Sequence, residues 1–336
     1  MKFFQRPVLP VRQEAAVAKT VANLKAQRRN RFRILACIDG TDESFISVRK
    51  AARFGCTAEC DIIILYVRPI DQGLHSGGLQ VRLARQNMME AGFELPGVSH
   101  LRRALEILKA EGLDVSQWKR EAHYQDAFSD PAGDTKIEYN APDGRSVVLK
   151  LKTAPDVAMG ILDQYELGPY NLIIMGQPSR WRSELKSFFG SGVVQSVIRL
   201  APCSVMVARK ANERKGFLIV TDGSFRSMQA VRRAGVQAHV MGREIALMAV
   251  AKSPESQATA QEAVVNAQAL LNAMGIAVGH TQVEVGDAAM RIVEAGNFYG
   301  TIVVSDENRS RFKRVTKGSV ATDVVQHAAT SVLDVR

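Results

Sequence analysis

No apolar run in this chain approaches the about 18 residues that a bilayer-crossing helix needs. The opening MKFFQRPVLPVRQE also lacks the long apolar core of a secretory signal. Cysteine is sparse: Cys37, Cys56, Cys60 and Cys203 are the four among 336 residues. Cys37 and Cys203 fall in predicted core strands, and Cys56 and Cys60 stand four apart with no histidine near, short of a zinc-like ligand set. The expectation is therefore free thiols, no metal and no transmembrane segment, in a reducing cytoplasm. Six histidines (His75, His100, His123, His239, His280 and His327) are scattered, and none neighbours a nucleophile. Without a positioned base beside a nucleophile, no catalytic residue can be assigned, and the chain is not expected to be an enzyme.

Acidic residues are nearly missing from the start of the chain. Met1–Arg33 holds nine bases (Lys2, Arg6, Arg12, Lys19, Lys25, Arg28, Arg29, Arg31 and Arg33) against the one acid Glu14, so most of the net charge of +10 belongs to an N-terminal arm. Val17, Val21 and Leu24 mark one stripe of a predicted helix over Gln13–Gln27. A docked helix with a solvated basic face is the preferred reading. Nucleic-acid contact, anionic-membrane contact or an organelle presequence ranks behind it, because a charge run is usually a solvated face and no recognised nucleic-acid motif accompanies the arm.

What the chain has is a repeat. RILACIDGT at Arg33–Thr41 is answered by FLIVTDGS at Phe217–Ser224, and GSGVVQSVIRLAPCSVMVAR at Gly190–Arg209 by GSVATDVVQHAATSVLDVR at Gly318–Arg336. A unit of this length is a duplicated domain rather than a solenoid repeat. The expected organisation is a basic arm at 1–31, a first domain at 32–210 with an insertion at about 71–150, and a second domain at 216–336. Between its Asp-Gly and its closing Gly-Ser, copy one is longer by about 55 residues. Lys136–Glu138 and Val147–Lys152, either side of Tyr139–Gly144, predict a hairpin whose Pro and Gly serve the turn. Asp71–Pro96 has little periodicity and suits a lid or interaction loop.

Apolar runs alternate with amphipathic ones throughout both copies. In copy one, strands are predicted at Arg33–Ile38, Asp61–Val67, Asn171–Met175 and Ser204–Ala208, with helices at Asp42–Phe54, Ser99–Ala110 and Asp156–Glu166 and after Gly190. In copy two, the helix at Ser256–Met274 places Val264, Ala267, Leu271 and Met274 on one face and stops at Gly275. Alternating strands and helices mean βαβ crossovers and a mainly parallel sheet covered on both faces.

The repeated Asp39-Gly40-Thr41 and Asp222-Gly223-Ser224 stand where the first strand ends and a helix opens. Ligands of open α/β sheets bind at those carboxyl ends, and an Asp there can accept from ribose hydroxyls or an adenine amino group; the same residues also suit a plain N-cap and turn. The loop after the fourth strand runs Gly176-x2-Ser179-x10-Gly190-Ser191 in copy one and Ser305-x2-Asn308-x9-Gly318-Ser319 in copy two. Small residues admit phosphate to backbone amides, and Gly-Ser opening a helix adds donors and the positive end of its dipole.

These residues resemble those of the universal stress protein family, in tandem. The closing segment of copy two, GSVATDVVQHAATSVLDVR, carries most of the likeness, together with Ala201-Pro202-Cys203 of copy one. The resemblance implies two doubly wound, mainly parallel five-stranded α/β domains, Rossmann-like and of the adenine nucleotide alpha hydrolase type, paired as an intrachain pseudo-dimer through their last strands; further homodimers are left open. It also implies a stress-response regulator that binds ATP, with Mg²⁺, without efficient catalysis. The implied nucleotide contacts are Asp39, Gly40, Thr41, Gly176, Ser179, Gly190 and Ser191, and Asp222, Gly223, Ser224, Asn308, Gly318 and Ser319. The family's loop is Gly-x2-Gly-x9-Gly-(Ser/Thr), and both copies depart from it. Copy two also sets Asp306 and Glu307 where phosphates approach, a like-charge arrangement that a cation would have to offset. The alternative is a scaffold without nucleotide that engages a protein partner through the insertion and the basic arm.

Overall fold

The computed structural model describes residues 31–57, 60–69, 87, 91, 96–127, 130–166, 170–177, 191–210, 216–305 and 319–336. The basic arm with its predicted helix, and nearly all of Asp71–Pro96, lie outside these.

Copy one contributes β1 (Phe32–Ile38), α1 (Phe45–Thr57), β2 (Cys60–Pro69), α2 (Pro96–Ala110), β3 (Lys119–Ala127), β4 (Asp130–Asn140), β5 (Ser146–Ala154), α3 (Val157–Glu166), β6 (Leu172–Gly176), α4 (Ser191–Leu200) and β7 (Ser204–Ala208). Copy two contributes β8 (Phe217–Val220), α5 (Phe225–Val240), β9 (Ile245–Ala251), α6 (Gln257–Ala273), β10 (His280–Val285), α7 (Ala288–Gly296), β11 (Thr301–Val304), α8 (Val320–His327) and β12 (Ser331–Asp334). All twelve strands form one sheet, ordered β10-β9-β8-β11-β12-β7-β6-β1-β2-β5-β4-β3.

Each copy holds five parallel strands in the order third, second, first, fourth, fifth, the doubly wound arrangement. The strand sequences explain why. Side chains of β1 alternate between two cores: Ile34, Ala36 and Ile38 pack with Phe45, Val48 and Leu108 of α1 and α2. Leu35 and Cys37 pack with Ile161, Val194 and Val197 of α3 and α4. A strand covered on both faces must be apolar along its covered run, as Ile34–Ile38 of β1 and Ile62–Val67 of β2 are. Burial raises the thiols of Cys37, Cys60 and Cys203, to about 12 for Cys60 and about 11 for Cys203. All four cysteines are free, three of them buried and Cys56 exposed.

Helices α2 and α6 are the same element twice. Leu101, Ala104 and Leu108 match Val264, Ala267 and Leu271 as the buried stripe. Gly112 (φ 95°) and Gly275 (φ 73°) then end the two helices, and Leu113 N and Ile276 N each bond back to the stripe's last carbonyl at 2.9 Å. The sequence expectation sets α1 at Asp42, but the helix begins at Phe45. Asp39 to Ser44 instead form a side-chain-bonded turn.

The predicted hairpin is present: β4 runs antiparallel to β5, closed by Gly144 (φ 85°). A further strand, β3, pairs antiparallel with β4, and neither it nor its pairing is predicted from the sequence. Its sequence KREAHYQDA offers little apolar alternation to read.

The copies meet through β7 and β12, paired antiparallel with Met206 opposite Leu333 at the centre. The seam is pseudo-symmetric. Arg209, buried at the end of copy one, donates to Thr330 O (3.2 Å) and Val325 O of copy two, and its backbone N–H donates to Ser331 Oγ (3.1 Å). Reciprocally, Arg336 donates to Ile198 O, and its backbone N–H to Ser204 Oγ (3.1 Å).

Candidate functional site

In both copies the chain winds one way from the first strand and then back the other, so a crevice opens at the carboxyl ends of β1 and β6, and of β8 and β11. Asp39 and Asp222 stand at those points. In copy one, Asp39 is only 6% exposed. Its Oδ1 accepts from Thr41 N (3.0 Å) and Thr41 Oγ1 (2.6 Å), while its own N–H donates to Ser44 Oγ (3.2 Å). Gly40 takes φ 91°, which a side chain would resist. Gly176 ends β6 against this turn: a Cβ there would stand 2.0 Å from Glu43 O, so its missing side chain serves backbone packing.

Copy two builds the same turn more openly. Asp222 is exposed and its Oδ1 accepts from Ser224 N (3.0 Å). Its N–H reaches Ser227 Oγ (3.4 Å), the counterpart of Ser44. Gly223 takes φ 79°. Ser224 caps α5 by accepting from Ser227 N, and Ser319 caps α8 by accepting from Thr322 N, each at 3.2 Å. Of the remaining sequence-predicted contacts, Ser179, Gly190, Asn308, Gly318 and the side chain of Ser191 lie outside the described residues.

The two crevices differ at one residue that lies outside the repeated motifs. Helix α2 lays the His100 imidazole over Gly40: a Cβ on that glycine would meet its Nε2 at 2.3 Å. The ring leans on Tyr66 (centroids 5.6 Å apart) and meets Phe45 edge-on (6.4 Å). The matching residue of α6 is Ala263, and a Cβ on Gly223 would stand 3.0 Å from its methyl group. Burial lowers the His100 pKa, with the Asp39 carboxylate opposing and the Arg103 charge reinforcing that shift. Arg103 straps α2 to the turn, bonding Asp42 at 2.7 Å and lying 4.4 Å over the Phe45 ring. Aligning the copies on Gly112 and Gly275 would have brought His100 and Ala263 together in sequence.

Among the described residues no group of three or more His, Cys, Asp or Glu could hold a metal ion, and no helix is long and apolar enough to cross a membrane.

The strand order and the Asp-Gly turn at the switch point define a doubly wound α/β module with a crevice at its carboxyl edge, present twice. The model of the universal stress protein family matches residues 30–209 and again 213–336, so the chain belongs to that family. A universal stress protein from Archaeoglobus fulgidus is similar over 90% of this chain and 96% of its own, at 16% identity and a TM-score of 0.59. A Pseudomonas aeruginosa protein assigned to the same family is similar over 90% and 92%, at 13% identity and a TM-score of 0.55. A universal stress protein solved in complex with cAMP aligns with 37% of this chain and 98% of its own, at 24% identity and a TM-score of 0.34. No curated protein matches the chain.

Proposed function

We propose that this chain is a stress-response regulatory protein whose ligand is an adenine nucleotide, ATP with Mg²⁺, held at the carboxyl ends of the parallel strands and turned over slowly if at all. The observation that carries the reading is the Asp-Gly turn, built in both copies at the switch point with the same serine behind it. Family membership supports it as well. As a test of fit, copy two offers an exposed Asp222, a glycine with no side chain and only a methyl group above it. Copy one has the turn, but His100 lies in the space over Gly40. The accessible half is therefore copy two, and His100 makes copy one the weaker. Bound nucleotide would act by favouring one arrangement of the crevice loops over another, and a regulatory ligand needs no more than that difference in affinity.

The test is the nucleotide released from purified protein, quantified by chromatography and mass spectrometry before and after loading with ATP and Mg²⁺. Near one nucleotide per chain is expected, lost in Asp222→Ala and kept in Asp39→Ala, with His100→Ala raising occupancy. No nucleotide after loading overturns the reading.

A second reading, a scaffold working through the insertion and the basic arm, rests on the added hairpin, which makes β3 the outermost strand of the sheet and leaves Tyr124 62% exposed. Capture of partners by the full chain and by a chain lacking Lys119–Asn140 tests it, since identical partners count against the hairpin.

A further inference from the structure

Away from both crevices, the seam between the copies holds a cavity of about 800 Å³, well within the range of small-molecule sites, roughly 300–1,000 Å³. It lies at the entry ends of copy one's strands, reached by Phe32 of β1, Asn171 before β6 and Ser204 of β7. One wall is α5. The buried stripe of that helix is Ala230, Val231, Ala234 and Ala238, whereas Gln229, Arg232, Arg233, Val236, Gln237 and Val240 form a different face, turned to the cavity. Val236 and Val240 are 41% and 46% exposed, an apolar strip that copy two's own core does not use.

The charged side chains that line this site are cations: Arg232, Arg233 and Arg336, of which Arg336 is paired with the buried Asp334 (3.0 Å) and the two arginines of α5 are left to face the cavity. A smaller cleft that shares Phe54 and Met241 with the cavity is lined by Lys50, Arg53 and Arg243, with Arg53 paired to Glu111 on its far side (2.8 Å). Burial lowers the Lys50 ammonium to about 8, and the Arg53 and Arg243 charges add to that shift, as expected in a positive field. Two polar atoms are also left over: Gln237 Oε1 and Arg336 Nη1 are buried without a hydrogen-bond partner, although both residues line the cavity. The unpartnered guanidinium nitrogen calls for a ligand that accepts, as an oxyanion does.

The chain's own arm does not complement these arginines: residues 1–31 carry eight bases against one acid. We infer that the seam cavity binds a small anionic amphiphile, with its oxyanion head on Arg232 and Arg233 and its apolar body along Val236, Val240 and Phe54. The head could be a carboxylate or a phosphate monoester, since guanidinium forks accept either.

The test is isothermal titration of the full chain with dodecanoate, dodecyl phosphate and dodecyltrimethylammonium, each below its micellar concentration. Binding of one or both anions and not of the cation is expected, and which anion binds identifies the head group. Two variants at solvent-facing positions of α5 separate the contributions. Arg232→Glu with Arg233→Glu should weaken the anion about tenfold or more. Val236→Trp should weaken it comparably by filling the cavity while leaving the charge alone, with the melting temperature of each variant checking its fold. Equal binding of the cation, no binding of either anion, or affinity unchanged in both variants overturns the inference. Asp222→Ala, which touches only the crevice of copy two, should leave this binding intact, so the result stands or falls apart from the nucleotide reading.

Discussion

A methyl group at position 176 has no room. The carbonyl of Glu43 lies 2.0 Å from where it would be, and a carbonyl in a bonded turn cannot swing aside as a side chain can. Gly275 is the opposite case: its φ of 73° disfavours a side chain, but nothing stands within 4 Å. Gly176→Ala is therefore expected to cost about 3 kcal/mol or more by overpacking, and Gly275→Ala only the left-handed backbone term of about 1–2 kcal/mol. Denaturant unfolding of the two variants checks this, and equal losses would refute the packing argument. His100 gives a pH dependence of definite sign. Its folded pKa lies below the ordinary histidine value of 6.5 because burial disfavours the imidazolium. Above that value the ring is neutral in both states and contributes nothing. As pH falls through 6.5 the unfolded chain takes up the proton first, so stability is lost on the acid side. His100→Gln should lose less stability than the parent between neutral and mildly acid pH; parallel slopes would show that the imidazole is not the cause.

At the scale of elements, α2 and α6 test whether the duplication is energetic as well as topological. Leu108 and Leu271 occupy one position in the two helices, both fully buried, and each carbonyl accepts the bond that closes its helix. Truncating either to Ala should cost about 2–5 kcal/mol, with the two losses similar; a loss confined to one copy would mean that the matching cores are not equally packed. Four of copy one's parallel strands were legible in sequence because a strand covered on both faces has to be apolar, as DIIILYV within β2 shows, whereas β5, which pairs parallel with β2, was read as an arm of the insertion's hairpin. The β4–β5 turn was legible because Pro142 and Gly144 mark it. Strand β3 was not: it is held by backbone pairing to β4 at the sheet edge, and its polar side chains need no pattern there. Of the crevice, the Asp-Gly turn was visible as a repeat, whereas His100 was not. A lone histidine on a helix carries no signal until the helix is set in register over Gly40, and that register is a tertiary fact. The start of α1 shifted for a related reason: Asp39, Thr41 and Ser44 bond one another, and the turn they make uses up the residues that looked like a first helical turn.

At the scale of the whole molecule, twelve strands share one sheet, so the copies are not beads on a linker. The seam pairs β7 and β12 through only a short ladder, from Val205 to Val207, and the buried arginine beside it supplements that ladder. The Arg209 guanidinium reaches three separate places: Val325 O near the end of α8, Thr330 O before β12, and Gln177 Oε1 (3.0 Å) just after β6. Burial lowers its pKa to about 10, so it stays charged at neutral pH and its bonds to those oxygens are charge-assisted. Arg209→Met keeps most of the apolar stem and removes the donors, leaving buried carbonyls of copy two unsatisfied, at about 1–3 kcal/mol each. Because those carbonyls belong to copy two while the arginine belongs to copy one, the loss falls on the coupling between the copies more than on either alone. Calorimetry should therefore show one cooperative transition for the parent chain and a lower, broadened or split transition for Arg209→Met. A variant that melts in one transition at the parent temperature would mean that the β7–β12 ladder and the packing around it suffice to join the halves. The arginine would then do no more than fill its own buried site.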